Sequence, residues 1–185
     1  MSSGTATSGS DELILEVRGA IAWVTLNRPK ARNALTFSMY ERLAGICRQM
    51  PTDGSVKALV VTGAGDKAFA AGTDIAQFRD FKRPEQGIAY EERADEIFKA
   101  VETCPVPTIA AIAGACTGGG AGIAACCDLR IASADMRFGF HIARTLGNVL
   151  AAATLTRLVA IVGQPRVASI TSRASSVEIR PAVAS

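Results

Sequence analysis

Three consecutive glycines, Gly118-Gly119-Gly120, interrupt an otherwise apolar stretch that runs from Thr108 to Asp128. They follow a run suited to a buried strand, Thr108 to Ile112, and precede small residues at helical spacing, Ala121, Ala124 and Ala125. The order reads as strand, tight turn, helix start. Glycine permits φ > 0 and lets another group approach the backbone. The first N–H groups of a helix lack intrahelical partners and carry the positive end of its dipole. A bare N–H there can hold an anion, or an oxygen on which charge develops. A second glycine turn, Ala71-Gly72-Thr73-Asp74, also follows an apolar run. If the two strands lie in adjacent layers, the N–H groups of Thr73 and Gly119 converge on one oxygen. Two such donors stabilise an enolate or a tetrahedral oxyanion formed from a carbonyl, each by about 2.7–4 kcal/mol in comparable sites.

Few other residues offer chemistry. His141 is the single histidine. It excludes a His-rich metal site and is a candidate general base, against the commoner structural role of a lone histidine. Asp74 is a carboxylate beside the first turn, where positioning the turn is its expected role. Arg144 can pair with a substrate carboxylate, with a surface salt bridge as the plain alternative. The five cysteines, Cys47, Cys104, Cys116, Cys126 and Cys127, form no CxxC pair. Their odd number and the vicinal pair read as reduced thiols in a cytoplasmic protein. The uncharged stretch Val106–Cys127 has the length of a membrane span. Pro105, Pro107 and the glycine triplet argue against one.

These turns need a scaffold, and the chain is long enough, at 185 residues, for one domain with a sizeable core. Aromatic residues make up only 5%, so the core is built from Ala, Val, Ile and Leu, which suits close helix–sheet layers. The net charge of +3 is scattered; nucleic acid is not an expected partner, nor is a membrane. Residues 1–10 are polar and read as a disordered tail. Leu13–Arg18 and Ile21–Asn27 form two β-prone runs joined at Gly19, a hairpin. Thr36 is the N-cap of a helix whose buried face carries Met39, Leu43, Ile46 and Met50. Lys57–Thr62 reads as a strand covered on both faces. A helix from about Pro84 to Cys104 places Ile88, Ala94, Ile97, Phe98 and Val101 on or near one face, with Glu91, Glu92 and Asp95 on a solvated one. Two short strands, Leu129–Ala132 and Met136–Gly139, precede a helix over Leu150–Val162. After Gly163 the helical pattern is lost, and residues 164–185 read as an atypical or truncated segment. No internal repeat is visible.

Three blocks together, IAWVTLNRPKARNAL, LVVTGAGDKAFAAGTDI and TIAAIAGACTGGGAGIAACCDLRIAS, resemble the crotonase superfamily, the enoyl-CoA hydratase/isomerase family. They occur in the family's order and cover roughly Leu13 to Gly163. The resemblance implies an α/β fold, a crotonase-like ββα spiral over residues 11–163, with the C-terminal helical part missing. It implies an acyl-CoA thioester as ligand, coenzyme A arriving with the substrate, no separate cofactor, and a homo-oligomer, trimer or hexamer. It assigns the oxyanion donors to Thr73 and Gly119. Arg28 and Ala31 match the block that contacts coenzyme A near its phosphates. Ala68, Ala70, Ala71 and Gly72 match the wall along the adenine and pantetheine, with Asp74 and Gly118 flanking the donors.

The departures bear on the reaction. Hydratases of this family carry one catalytic Glu where this chain has Gly122 and a second at or beside Ile142. A basic residue often found three places after the first donor is Ala76 here. Hydration needs a base for water and an acid for the α-carbon, so isomerisation, hydrolysis or another enolate chemistry is the expected reaction. His141, beside the second lost position, is the candidate for a substitute base, with a structural role the commoner one for a lone histidine. Two other classes stand beside this one. The first is a catalytically dead acyl-CoA-binding or assembly partner. The second is an NAD-binding oxidoreductase, because Gly63-Ala64-Gly65-Asp66-Lys67-Ala68 fits GxGxxA after a strand.

Overall fold

A computed structural model describes residues 12–140 and 150–172. His141, Ile142 and Arg144 lie outside the described residues. Strands β1 (Leu13–Arg18) and β2 (Ile21–Leu26) form the expected antiparallel hairpin, turning at Gly19 with φ +61°. Helix α1 (Phe37–Arg48) follows, and the Thr36 hydroxyl accepts the Met39 N–H at its start. Met39 and Leu43 are buried on its inner face together with Tyr40, Ala44 and Cys47.

From here the chain alternates between two sheets. Strands β3 (Ala58–Gly63), β5 (Thr108–Ile112) and β7 (Leu129–Ala132) extend the larger sheet in the order β1-β2-β3-β5-β7, parallel from β2 onward. Strands β4 (Ala68–Ala70), β6 (Ala115–Thr117) and β8 (Arg137–Gly139) form a second, parallel sheet. Each turn of the spiral gives one strand to each sheet. Helix α2 (Pro84–Glu102) closes the turn made by β3 and β4, and α3 (Gly119–Cys126) closes the one made by β5 and β6. Helices α4 (Ala152–Val162) and α5 (Gln164–Ser172) come last. The ββα repeat is thus structural, with no counterpart in side-chain sequence.

The core lies between the sheets and the helices, and aliphatic residues dominate it, as the composition requires. Helix α3 is the innermost helix: every residue from Gly120 to Cys126 is buried. Only small side chains allow a helix to sit that close to strands on one side and to α2 on the other. The sheets are tied at their edges by side chains. The Asp128 carboxylate accepts from both the Thr108 N–H and hydroxyl at 2.8 Å, and the Asp128 N–H donates back to the hydroxyl. This exchange holds the starts of β5 and β7 in register. Leu129 and Ile131 remain exposed on the edge strand β7.

Three expectations change. Strands β4 and β6 are three residues each, too short to show a period, so the sequence reads as passing straight from long strand to glycine turn. Ile88 is 61% exposed rather than part of the α2 core face, which is carried by Ala94, Ile97, Ala100 and Val101. And the chain after Gly163 is helical as far as Ser172, with Val167 and Ile170 buried against the rest. Two inward residues at a spacing of three are enough to seat that helix, but too few to register as a periodic pattern.

Four of the five thiols are buried, and burial pushes Cys116 up, Cys126 to about 11 and Cys127 to about 12. Cys104 differs. It is half-buried, and the hydrogen bond from Cys47 holds its thiolate and lowers it to about 7, while Cys47 itself is raised. Cys104 is therefore expected to be the one thiol alkylated rapidly in the native protein at neutral pH. Peptide mass spectrometry after brief iodoacetamide treatment checks this, and Cys104→Ser should abolish the fast phase.

Candidate functional site

Parallel pairing explains where the site falls. Because β4 and β6 run side by side in the same direction, with Ala70 opposite Cys116, their C-terminal ends open onto one edge. Loops at the carboxyl ends of parallel strands are where α/β folds place ligands. Both loops are the glycine turns singled out from sequence. Gly72 has φ +107° and Gly118 φ +52°, conformations that residues with a Cβ rarely adopt. The two backbones touch: a Cβ placed on Gly118 would lie 3.3 Å from the Gly72 Cα.

That contact brings Thr73 beside Gly119. The neighbouring amides are engaged in holding the turns. The Leu35 N–H donates to the Gly72 carbonyl at 2.8 Å, and the Asp74 N–H donates to the Leu35 carbonyl at 2.9 Å. In this parallel bridge the N–H of the middle residue, Thr73, points away from Leu35. On the other turn the Gly118 N–H donates to the Gly139 carbonyl and the Gly122 N–H to the Gly118 carbonyl, both at 3.0 Å. Gly119 is the first residue of α3, where an N–H has no partner within the helix.

Both residues line a cavity of about 790 Å³. Ala71, Thr73, Gly118 and Gly119 form one wall, and α2 forms the facing wall with Ile88, Tyr90, Glu91 and Asp95. Phe78, Phe81 and Tyr90 give the cavity an aromatic lining, and these rings pack with one another and with Phe37 at centroid separations of 4.8 to 6.2 Å. The cavity therefore offers an oily compartment of hydrocarbon size next to two backbone donors. The carboxylates of Glu91 and Asp95, read from sequence as a solvated face, are exposed but face into this opening.

Around the donors lies a cluster of hydroxyls. The Thr73 Oγ1 lies 2.9 Å from the Tyr40 Oη and 2.9 Å from the Tyr90 Oη. Tyr40 is fully enclosed, and its hydroxyl fills the space beside Gly119: a Cβ there would sit 1.7 Å from it. Burial raises both phenols above their ordinary value, so they are neutral donors at physiological pH.

The remaining sequence candidates divide. Ala68 and Ala70 are buried in β4 and contribute backbone. Asp74 positions the turn, as expected: one carboxylate oxygen accepts the Ala76 N–H and the other pairs with Arg28 at 2.9 Å. The Arg28 guanidinium also pairs with Glu12 at 3.0 Å and donates to the Ala34 carbonyl at 2.7 Å. It staples the loop that precedes α1 and does not line the cavity. Ala31 is exposed in the short 3-10 turn Pro29–Ala31. His141 lies outside the described residues. The GxGxxA run leads from β3 into strand β4 rather than into a helix start, so it cannot present the helix N-terminus that a dinucleotide pyrophosphate needs.

Several residues of the site escaped the sequence reading. Asn33 is wholly buried with φ +55°. It accepts the Arg28 N–H at 3.0 Å and donates to the Ala64 and Ala68 carbonyls at 3.0 and 2.7 Å, tying the loop to β4. Tyr90 had a usable signal, since it stands on the stripe of Ala94, Ile97 and Val101 at i, i+4, i+7 and i+11. Tyr40 had one as well, standing with Leu43, Ala44 and Cys47 at i, i+3, i+4 and i+7; Phe98 is read near the buried face of its helix, but its place against Gly122 is not. Phe98 occupies the ground over Gly122: a Cβ at that position would lie 2.6 Å from its ring.

Two sheets wound together by ββα turns, with paired glycine turns at the strand ends, define the crotonase class of fold. The chain belongs to the enoyl-CoA hydratase/isomerase family, whose model matches residues 16–183. It is 40% identical over 129 residues to a short-chain-enoyl-CoA hydratase of Clostridium acetobutylicum, covering 70% of this chain and 49% of that protein. It is 34% identical over 134 residues to the mitochondrial 3-hydroxyisobutyryl-CoA hydrolase of Homo sapiens, covering 71% of this chain and 35% of that one. Among solved structures, an enoyl-CoA hydratase/carnithine racemase from Magnetospirillum magneticum superposes with a TM-score of 0.80 at 37% identity, over 88% of this chain and 61% of that one. The chain spans about half the length of the hydratases it matches.

Two outcomes follow for the site. Gly122→Ala should destabilise the fold by about 1–3 kcal/mol through overpacking. Phe98→Leu in the same chain should return part of that loss, as measured by urea denaturation. Asp74 and Glu102 are both held below the usual carboxylate range, by the Ala76 N–H and then Arg28 in the first case and by Arg157 in the second. The unfolded chain therefore takes up these protons first. Their contribution to stability is full above about pH 5 and is lost as pH falls through the unfolded-state and then the lower folded-state values. Asp74→Asn should flatten this acid limb in a pH series of thermal melts.

Proposed function

We propose that the protein is an acyl-CoA enzyme that binds its thioester in the 790 Å³ cavity and stabilises an enolate-like oxyanion with the N–H groups of Thr73 and Gly119. The observation that carries this reading is the contact between Gly72 and Gly118 at the ends of adjacent parallel strands, which sets two donors beside an apolar compartment. Charge that develops on the thioester oxygen is met there by fixed dipoles that need no reorganisation. The acyl chain lies toward Phe78 and Phe81. The pantetheine arm runs along Ala68, Ala70, Ala71 and Gly72, toward the Arg28–Ala31 loop. Coenzyme A comes as part of the substrate, and the reaction uses no further cofactor.

The reaction is one that an oxyanion hole and a single base can perform, such as double-bond isomerisation or thioester hydrolysis. Hydration by two glutamates is disfavoured, because Gly122 has no side chain and the Phe98 ring fills the space one would enter. His141 is the base proposed from sequence. The same substitution favours a second reading, in which the protein binds acyl-CoA without turning it over.

Calorimetric titration with crotonyl-CoA and with S-butyl-CoA, a thioether that lacks the carbonyl oxygen, tests the proposal. The thioester should bind about five- to 150-fold more tightly, since two hydrogen bonds of about 0.5–1.5 kcal/mol each are at stake. Equal affinity would remove the oxyanion role. Turnover of crotonyl-CoA or an isomeric enoyl thioester would exclude the binding-only reading.

A further inference from the structure

We propose that the Tyr90 hydroxyl is a third hydrogen-bond donor to the thioester oxygen, aimed by Thr73 Oγ1 and by Tyr40 behind it. This rests on the acyl-CoA reading above and adds a side-chain donor to the two amides.

The argument is one of proton counting and access. Tyr40, Thr73 and Tyr90 bring three hydroxyl protons to one cluster, and the two bonds through Thr73 Oγ1 consume two of them. Thr73 Oγ1 has one proton and two lone pairs, and either oxygen of each pair can be the donor; one arrangement has it accept from one tyrosine and donate to the other. The third proton is then left on a phenol. Tyr40 is 3% exposed and reaches only two smaller neighbouring cavities, whereas Tyr90 lines the 790 Å³ cavity that Thr73 and Gly119 also line. In the order Tyr40 to Thr73 to Tyr90, the spare O–H is therefore the one that can turn toward a ligand. The two phenols also interact with one another, and a bound ligand oxygen would compete for the Tyr90 proton.

Packing fixes the direction in which the group points. The Tyr90 ring is held edge-on to Phe78 at a centroid separation of 4.8 Å and tilted against Phe37 at 5.3 Å. It cannot swing its hydroxyl away without breaking both contacts. Burial first, and the negative charge of Glu91 on the same helix second, keep the Tyr90 phenol neutral. The hydroxyl of Thr73, next to the amide that it shares a residue with, couples the side-chain donor to the backbone donor in one rigid unit. A residue that carried only a methyl group at position 73 would supply the amide but leave the tyrosines unlinked.

The probe is sorbyl-CoA, a dienoyl thioester whose absorption moves to longer wavelength as its carbonyl oxygen is hydrogen-bonded. Bound to the wild-type chain at saturation, it should show a clear red shift. Tyr90→Phe should leave the thermal melt in place, bind roughly three- to tenfold more weakly, and show a smaller shift at saturation. Thr73→Val keeps the amide and the side-chain volume but removes the linking hydroxyl, and should reduce the shift as well. A purely structural role would alter affinity without altering the wavelength of the saturated complex. A full red shift in both variants would overturn the tyrosine donor and leave the amide pair standing. Absence of any shift with the folded wild-type chain would overturn the acyl-CoA reading and this inference together.

Discussion

The site depends on one backbone contact. Gly72 and Gly118 meet at the ends of neighbouring parallel strands, each at a positive φ that residues with a side chain rarely adopt. The rest of the candidate site follows from that approach. The Thr73 and Gly119 amides come together because their turns touch. The turns touch because β4 and β6 are paired and parallel. Those strands are only three residues long, so their pairing rests on the packing around them: α3 pressed against β4, and the Arg28–Asn33 loop hydrogen-bonded to it.

The small residues of α3 serve the same contact from the other side. Gly120 lies so close to Ala70 that a Cβ would meet its carbonyl at 2.6 Å. Gly119 admits the Tyr40 hydroxyl, and Gly122 admits the Phe98 ring. The glycines that loosen the chain locally are thus the ones that let the interior close tightly. The conformational entropy they cost is offset by aliphatic and aromatic burial that larger residues would prevent. The absence of a glutamate at position 122 belongs to this packing arrangement as well as to the chemistry, because an aromatic ring has taken the place.

Much of the fold was legible. The hairpin about Gly19, the Thr36 cap, the doubly covered strand β3 and the helical pattern of α2 are local signals that a period or a capping residue carries. The two glycine turns stood out for the same reason, since a required positive φ is written in residue type. What could not be read is what depends on distance across the fold. Tyr40 and Thr73 are 33 residues apart, and Thr73 and Tyr90 are 17 apart, yet their hydroxyls form one cluster. Asn33 and Ala68 are separated by 35 residues. Nothing in the local text of α1 announces that the end of its first turn lies beside Thr73 and Gly119.

The sequence by itself determined which backbone positions can be bare, tightly turned and donor-rich, because glycine, proline and capping residues act through their own dihedrals. It also determined the family, through three blocks in order. Only the tertiary structure decided what surrounds those positions: that Arg28 clamps Asp74 and Glu12, that Ile88 and Asp95 face a cavity, and that Phe98 fills the ground above Gly122. The physical reason is that side-chain neighbours are set by the winding of one sheet against another. That winding brings together residues whose spacing along the chain bears no relation to their distance in space.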